Sequence, residues 1–137
     1  MENMENKKTP EEIVESNSLT WKNVLESKDL EKIVGLYSSK KVSFLPTFSD
    51  QLVTDLKGVK EYFSHFFEQN PKVTFEENDL TFFSENFYTL TGMYSFEVDA
   101  KGARNIVHAR FTYCWAKEDG VWKIVHHHSS ELPKKNH

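Results

Sequence analysis

The sequence predicts an α+β domain, a curved antiparallel sheet with its helices packed on one face. Two observations carry this. Residues 9–70 hold three stretches with helical apolar spacing, and everything from Lys72 onward alternates with the period of a strand. The strands are joined by short connections such as Asp99-Ala100-Lys101-Gly102 and Glu118-Asp119-Gly120, which suit hairpins. At 137 residues the chain is long enough for one domain with a proper core, and its 11 Phe supply bulk for it.

In chain order, residues 1–8 read as a disordered polar tail with no apolar region of a secretory signal. Thr9-Pro10-Glu11-Glu12 opens the first helix: Thr9 as N-cap, Pro10 at the first helical position, Glu12 closing a capping box. Ile13, Val14, Trp21, Val24 and Leu25 form its apolar stripe, and Asn17 falls on that stripe as a backbone-bonded or a pocket-facing amide. Asp29 caps a second short helix through Leu30, Ile33, Val34 and Tyr37. Val42 to Pro46 is a short strand that Pro46 ends or places at an edge. Thr47 to Asp50 is a loop. The third helix carries Val59, Tyr62, Phe63, Phe66 and Phe67 on one face and stops at Asn70-Pro71.

Four strands follow. Val73–Phe83 has a mixed pattern that suggests a bulge near Asn78-Asp79. Phe87–Val98 places Tyr88, Leu90, Tyr94, Phe96 and Val98 on one face, and Ile106–Ala116 places Val107, Ala109, Phe111, Tyr113 and Trp115 on one face. The last strand runs from Trp122 into His126-His127-His128-Ser129-Ser130-Glu131-Leu132-Pro133. Strict alternation puts Trp122, Ile124, His126, His128 and Ser130 together and turns His127 and Ser129 away. The domain thus spans 9–133, with 134–137 as a second tail.

Composition excludes several classes. A net charge of -4 gives no basic footprint for nucleic acid, and no apolar run is long enough to cross a membrane. Cys114 is the only cysteine, which excludes an intrachain disulfide framework and is compatible with a reducing, cytoplasmic setting. Cys114 itself reads as a small sheet residue, and Arg110 as a solvated or paired one. His126 and His128 admit three roles: structural hydrogen bonding, ligation of a metal that lacks a visible third ligand, or acid/base chemistry by a neutral imidazole. Hydroxyls of Ser130, Thr47 or Tyr62 would then fix a small oxygen-rich substrate.

At these residues the chain resembles the nuclear-transport-factor-2-like superfamily of cone-shaped domains. Its Trp-x-Ile-Val-His-x-His pattern is similar to the association domain of calcium/calmodulin-dependent protein kinase II. The octapeptide His126 to Pro133 resembles the His-His-His-Ser-Ser-x-x-Pro ending of iota-class carbonic anhydrases, with Leu132 where those have Met. Leu45-Pro46-Thr47-Phe48-Ser49, Glu61-Tyr62-Phe63 and Ala109-Arg110-Phe111-Thr112-Tyr113 resemble further motifs of that class. The resemblance implies reversible hydration of carbon dioxide to bicarbonate, metal-free or with manganese; zinc is the other metal the histidines would suit. It implies no organic cofactor. By motif it assigns Thr47, Tyr62, His128 and Ser130 to the site, and alternation adds His126. Phe44, Phe63 and Phe66 would wall a low-polarity chamber.

Two other classes compete. One is a non-enzymatic assembly or ligand-binding domain, forming at least a homodimer through its sheet, with Phe111, Tyr113 and Trp115 suited to the interface. The other is an isomerase or cyclase using an Asp–His pair, for which Asp50 and Asp55 are the nearby carboxylates.

Overall fold

The structure is a computed structural model, and it describes residues 7–134. Most of the tail expected at 1–8, and residues 135–137 of the tail expected at 134–137, lie outside the described residues. Helix α1 (Pro10–Ser27) starts as expected: the Glu12 amide donates to Thr9 Oγ1 at 3.1 Å, and the Thr9 amide donates to Glu12 Oε1 at 2.9 Å. Helix α2 (Leu30–Gly35) is capped by Asp29, and α3 (Leu56–Phe66) by Asp55, whose side chain accepts from the Gly58 amide. The Asp55 carboxylate is therefore committed to a helix end. Asn17 donates to the Tyr88 hydroxyl at 3.0 Å, a side-chain partner rather than a backbone one.

Strands β1 (Ser43–Leu45), β2 (Lys72–Ser84), β3 (Phe87–Ala100), β4 (Ala103–Glu118) and β5 (Val121–Glu131) form one open sheet in the order β1-β5-β4-β3-β2. The four long strands are antiparallel, but β1 joins β5 in parallel, pairing Ser43 with His126 and Leu45 with His128. Two of the three two-residue hairpins use left-handed residues: Lys101 and Gly102 between β3 and β4, Asp119 and Gly120 between β4 and β5.

The bulge expected in β2 is present slightly earlier, between Phe75 and Glu77. Gly92 pairs with Asn78 just beyond it, and a Cβ there would meet the Glu77 carbonyl oxygen at 2.1 Å, so only glycine fits. Another bulge, in the β4–β5 ladder, carries more consequence. The β4–β5 ladder pairs Trp115 with Ile124 and Cys114 with His126, leaving Val125 as an extra residue in β5.

The core lies between the helices and the inner face of the sheet. Trp21, Leu25, Ile33, Val59 and Phe63 meet Tyr88, Leu90, Tyr94, Phe96 and Ile124. Phe111, Tyr113 and Trp115 belong to this core, at 4%, 2% and 2% exposure. They are therefore not the exposed interface aromatics expected from the sequence. Among the described residues, no helix is long and apolar enough to cross a membrane.

Candidate functional site

The bulge at Val125 decides which side chains of the last strand enter the cone. An extra residue in a strand reverses the alternation beyond it. Ile124 points into the core before the bulge; after it, His127 and Ser129 do, at 2% and 4% exposure. His126 and Ser130 are half-buried and His128 is exposed. The expected placement of His126, His128 and Ser130 in the pocket is thus corrected by one residue. They line the outer side of the sheet, where His126 Nδ1 meets Ser43 Oγ at 2.7 Å.

The His127 imidazole is gripped on both faces. Tyr113 stacks on it with centroids 4.1 Å apart and Phe44 at 5.0 Å, while the Trp21 ring meets it edge-on at 5.7 Å. Both ring nitrogens are engaged: Nδ1 with the Tyr37 hydroxyl at 2.9 Å, Nε2 with the Tyr94 hydroxyl at 3.1 Å. Trp21 Nε1–H donates to Tyr37 at 3.2 Å, and Tyr94 donates to Ser129 Oγ at 2.7 Å. Ser129 in turn is hydrogen-bonded to Thr47 Oγ1. A continuous chain therefore runs Trp21, Tyr37, His127, Tyr94, Ser129, Thr47.

The far end of this chain opens on a small pocket lined by Thr47, Tyr62, His127, Ser129, Tyr94 and the rings of Phe44, Phe63 and Phe66. Its volume for the centre of a water molecule is about 10 Å³, room for one water. Tyr62 and Phe66 also line a wider surface groove of about 590 Å³ with Phe48, Leu52 and Glu61, so these two rings stand between groove and pocket.

Burial sets the electrostatics. It holds His127 well below the ordinary histidine range, so the ring is neutral, with smaller repulsion from His126 and His128. His126 is lowered too, mainly by partial burial and then by His128, with the Ser43 backbone opposing. Burial raises the Tyr62 hydroxyl well above 10, partly offset by the Phe48 backbone and the Thr47 side chain beside it. Tyr94 is raised in the same way, with Ser129 opposing. Cys114 is pushed up by burial, as fits a sheet residue rather than a nucleophile. Among the described residues, no group of three or more His, Cys, Asp or Glu is placed to hold a metal ion.

Of the residues predicted from the sequence, Thr47 and Tyr62 are brought together; His126, His128 and Ser130 are not brought to them. Sequence reasoning missed His127 and Ser129, and with them Tyr37 and Tyr94 as their partners. Tyr94 was legible as an inward residue of its strand. The phase of His127 was not, because three identical side chains and two serines give either phase the same pattern.

The family model described as calcium/calmodulin dependent protein kinase II association domain matches residues 11–133. A solved protein of Xanthomonas campestris carrying the same association-domain description is similar at 27% identity, with 93% of this chain and 91% of that one covered and a TM-score of 0.88. The hub homology domain from Chlamydomonas reinhardtii is similar at 20% identity, over 88% of this chain and 96% of that one, TM-score 0.70. An NTF-2-like protein of Shewanella oneidensis is similar at 14% identity, over 89% and 99%, TM-score 0.74. No curated protein sequence matches the chain. The fold is the expected NTF2-like cone.

Proposed function

The chain belongs to the calcium/calmodulin dependent protein kinase II association domain family, and from that premise we propose that it is a self-associating domain. The observation that carries this is the outer face of its sheet. His108, Arg110 and His128 stand exposed there, with Thr91, Thr112 and Cys114 half-buried between them. These positions adjoin across the ladders: Thr112 pairs with Thr91 and His128, and Arg110 with Met93 and Ser130. Thr91, Thr112 and Cys114 put small side chains in the middle of this face, with His108, Arg110 and His128 around them to contact a second copy. Light scattering on purified protein tests it. A homodimer or larger assembly is expected, and Thr112→Glu, which sets a charge in the middle of the face, is expected to lower the assembly state. A wild-type chain that is monomeric at micromolar concentration overturns the reading.

A second reading is favoured by one juxtaposition: Thr47 and Tyr62, which the resemblance to iota-class carbonic anhydrases assigns, lie in one pocket with His127 and Ser129 of the octapeptide. On this reading the pocket hydrates carbon dioxide without metal. Phe44, Phe63 and Phe66 give carbon dioxide an apolar wall. The hydroxyls of Thr47 and Tyr62 orient the water and stabilise the carboxylate that forms, with Ser129 holding Thr47 in place. The water oxygen bonds to carbon, one carbon–oxygen π pair moves onto oxygen, and the released proton goes to solvent buffer. His127 does not hold that proton, because burial keeps it neutral and both its nitrogens are bonded. Tyr62 and Phe66 swing to admit substrate, since the closed pocket holds one water. Stopped-flow hydration on chelator-treated protein tests the reading. Activity that persists after metal removal and falls at least about tenfold in Thr47→Ala and Ser129→Ala, a loss of about 1.4 kcal/mol or more, supports it. Activity that returns only with manganese or zinc makes the site a metal site. No activity under either condition leaves the self-associating domain alone.

A further inference from the structure

We infer that Trp21 acts through Tyr37 to hold His127 as the Nε2–H tautomer, and that this gives the hydrogen-bond chain a single direction ending in a donor at Thr47. The inference rests on the reading that the Thr47 end of the pocket is its working end.

The indole Nε1–H can only donate, and it donates to the Tyr37 oxygen. Among the described residues the Tyr37 hydroxyl has two hydrogen-bond partners, Trp21 and His127. Were His127 protonated on Nδ1, Tyr37 would receive two donors, and its own proton would have no acceptor in a site that is 1% exposed. With the proton on Nε2, Tyr37 donates to Nδ1 and every group is used. Nε2–H then donates to the Tyr94 oxygen. Tyr94 is thereby left to donate to Ser129 across the 2.7 Å contact between their oxygens. Ser129, already accepting from Tyr94, then donates to Thr47 Oγ1, which leaves the Thr47 hydroxyl as a donor toward Tyr62 and the pocket. Stacking of His127 between Tyr113 and Phe44 prevents the ring from turning over to exchange its nitrogens. A pocket that ends in a hydroxyl donor selects an acceptor, an oxyanion rather than an amine. Trp21 and Tyr37 touch no substrate in this arrangement; they are positioning residues.

Two-bond proton–nitrogen spectra of the full chain with 15N-labelled histidine rings test this, His127 being assigned by its loss in His127→Gln. In the wild type at neutral pH, Nε2 is expected as a protonated nitrogen and Nδ1 as a bare one. In Trp21→Phe a measurable Nδ1–H fraction is expected, since Tyr37 is free to accept. The same shift is expected when position 21 carries the benzothiophene isostere of tryptophan, which keeps the size of the ring and lacks the N–H. A wild-type His127 in the Nδ1–H form overturns the inference, as does an unchanged Nε2–H form with the isostere in place. The spectrum reads the tautomer whatever the hydration assay gives, so failure of the enzyme reading and failure of this one are separable.

Discussion

Five consecutive residues of β5, His126 to Ser130, divide into two groups with opposite fates. On the inner side, His127 and Ser129 are almost wholly buried, fully hydrogen-bonded and part of a chain six residues long. On the outer side, His126, His128 and Ser130 are half-buried or exposed, and His126 pairs with Ser43 at the sheet edge. The residue types are the same, so chemistry did not choose between them. One extra residue, Val125, did. The difference teaches that the phase of a strand is fixed by its ladder and not by the identity of the polar residues at its end.

The largest effect that would break this contrast is on stability. His127→Ala removes a core side chain and strands the hydroxyls of Tyr37 and Tyr94, and about 2–5 kcal/mol of loss is expected in urea melts at fixed protein concentration. Deletion of Val125 should cost less, about 1–3 kcal/mol. It leaves Trp115 opposite Ile124 and Cys114 opposite His126, so His127 is expected to stay inside; a His127 that becomes solvent-reactive in this variant would refute the bulge account.

The pH dependence sharpens the comparison. The folded state holds His127 neutral well below the ordinary histidine value of 6.5, so the unfolded chain takes up a proton that the folded one refuses. The contribution is fully present above pH 6.5 and is lost as pH falls below it, at about 1.4 kcal/mol per pH unit for one proton. His127→Gln should remove that part of the acid slope. Thr47→Val, which takes away the acceptor of the Ser129 hydroxyl and leaves only its bond from Tyr94, should cost about 1 kcal/mol. His128→Ala should be the mildest, within about 0.5 kcal/mol, because the side chain is exposed.

Much of the fold was legible. The Thr9–Glu12 capping box, the apolar stripe of α3 and the alternation of β3 and β4 each follow from side-chain chemistry acting over a few residues. The parallel pairing of β1 with β5 was not, because that contact lies about 80 residues apart and leaves no local pattern. Alternation places Phe111, Tyr113 and Trp115 on one face as a set but does not show that α1 covers that face, which is what buries them. At the candidate site, a motif and a helical stripe pointed to Thr47 and Tyr62, which line one pocket. His127 could not, because a bulge has no signature among residues that would all be tolerated in either phase.

The account stands on a buried, neutral His127 between Tyr37 and Tyr94. The most direct measurement is a pH titration of the histidine ring nitrogens by NMR in the folded protein. The expected result is a His127 whose ring stays neutral and bonded down to the acid limit of the folded state. A His127 that takes up a proton near pH 6.5 while the protein remains folded would contradict the account.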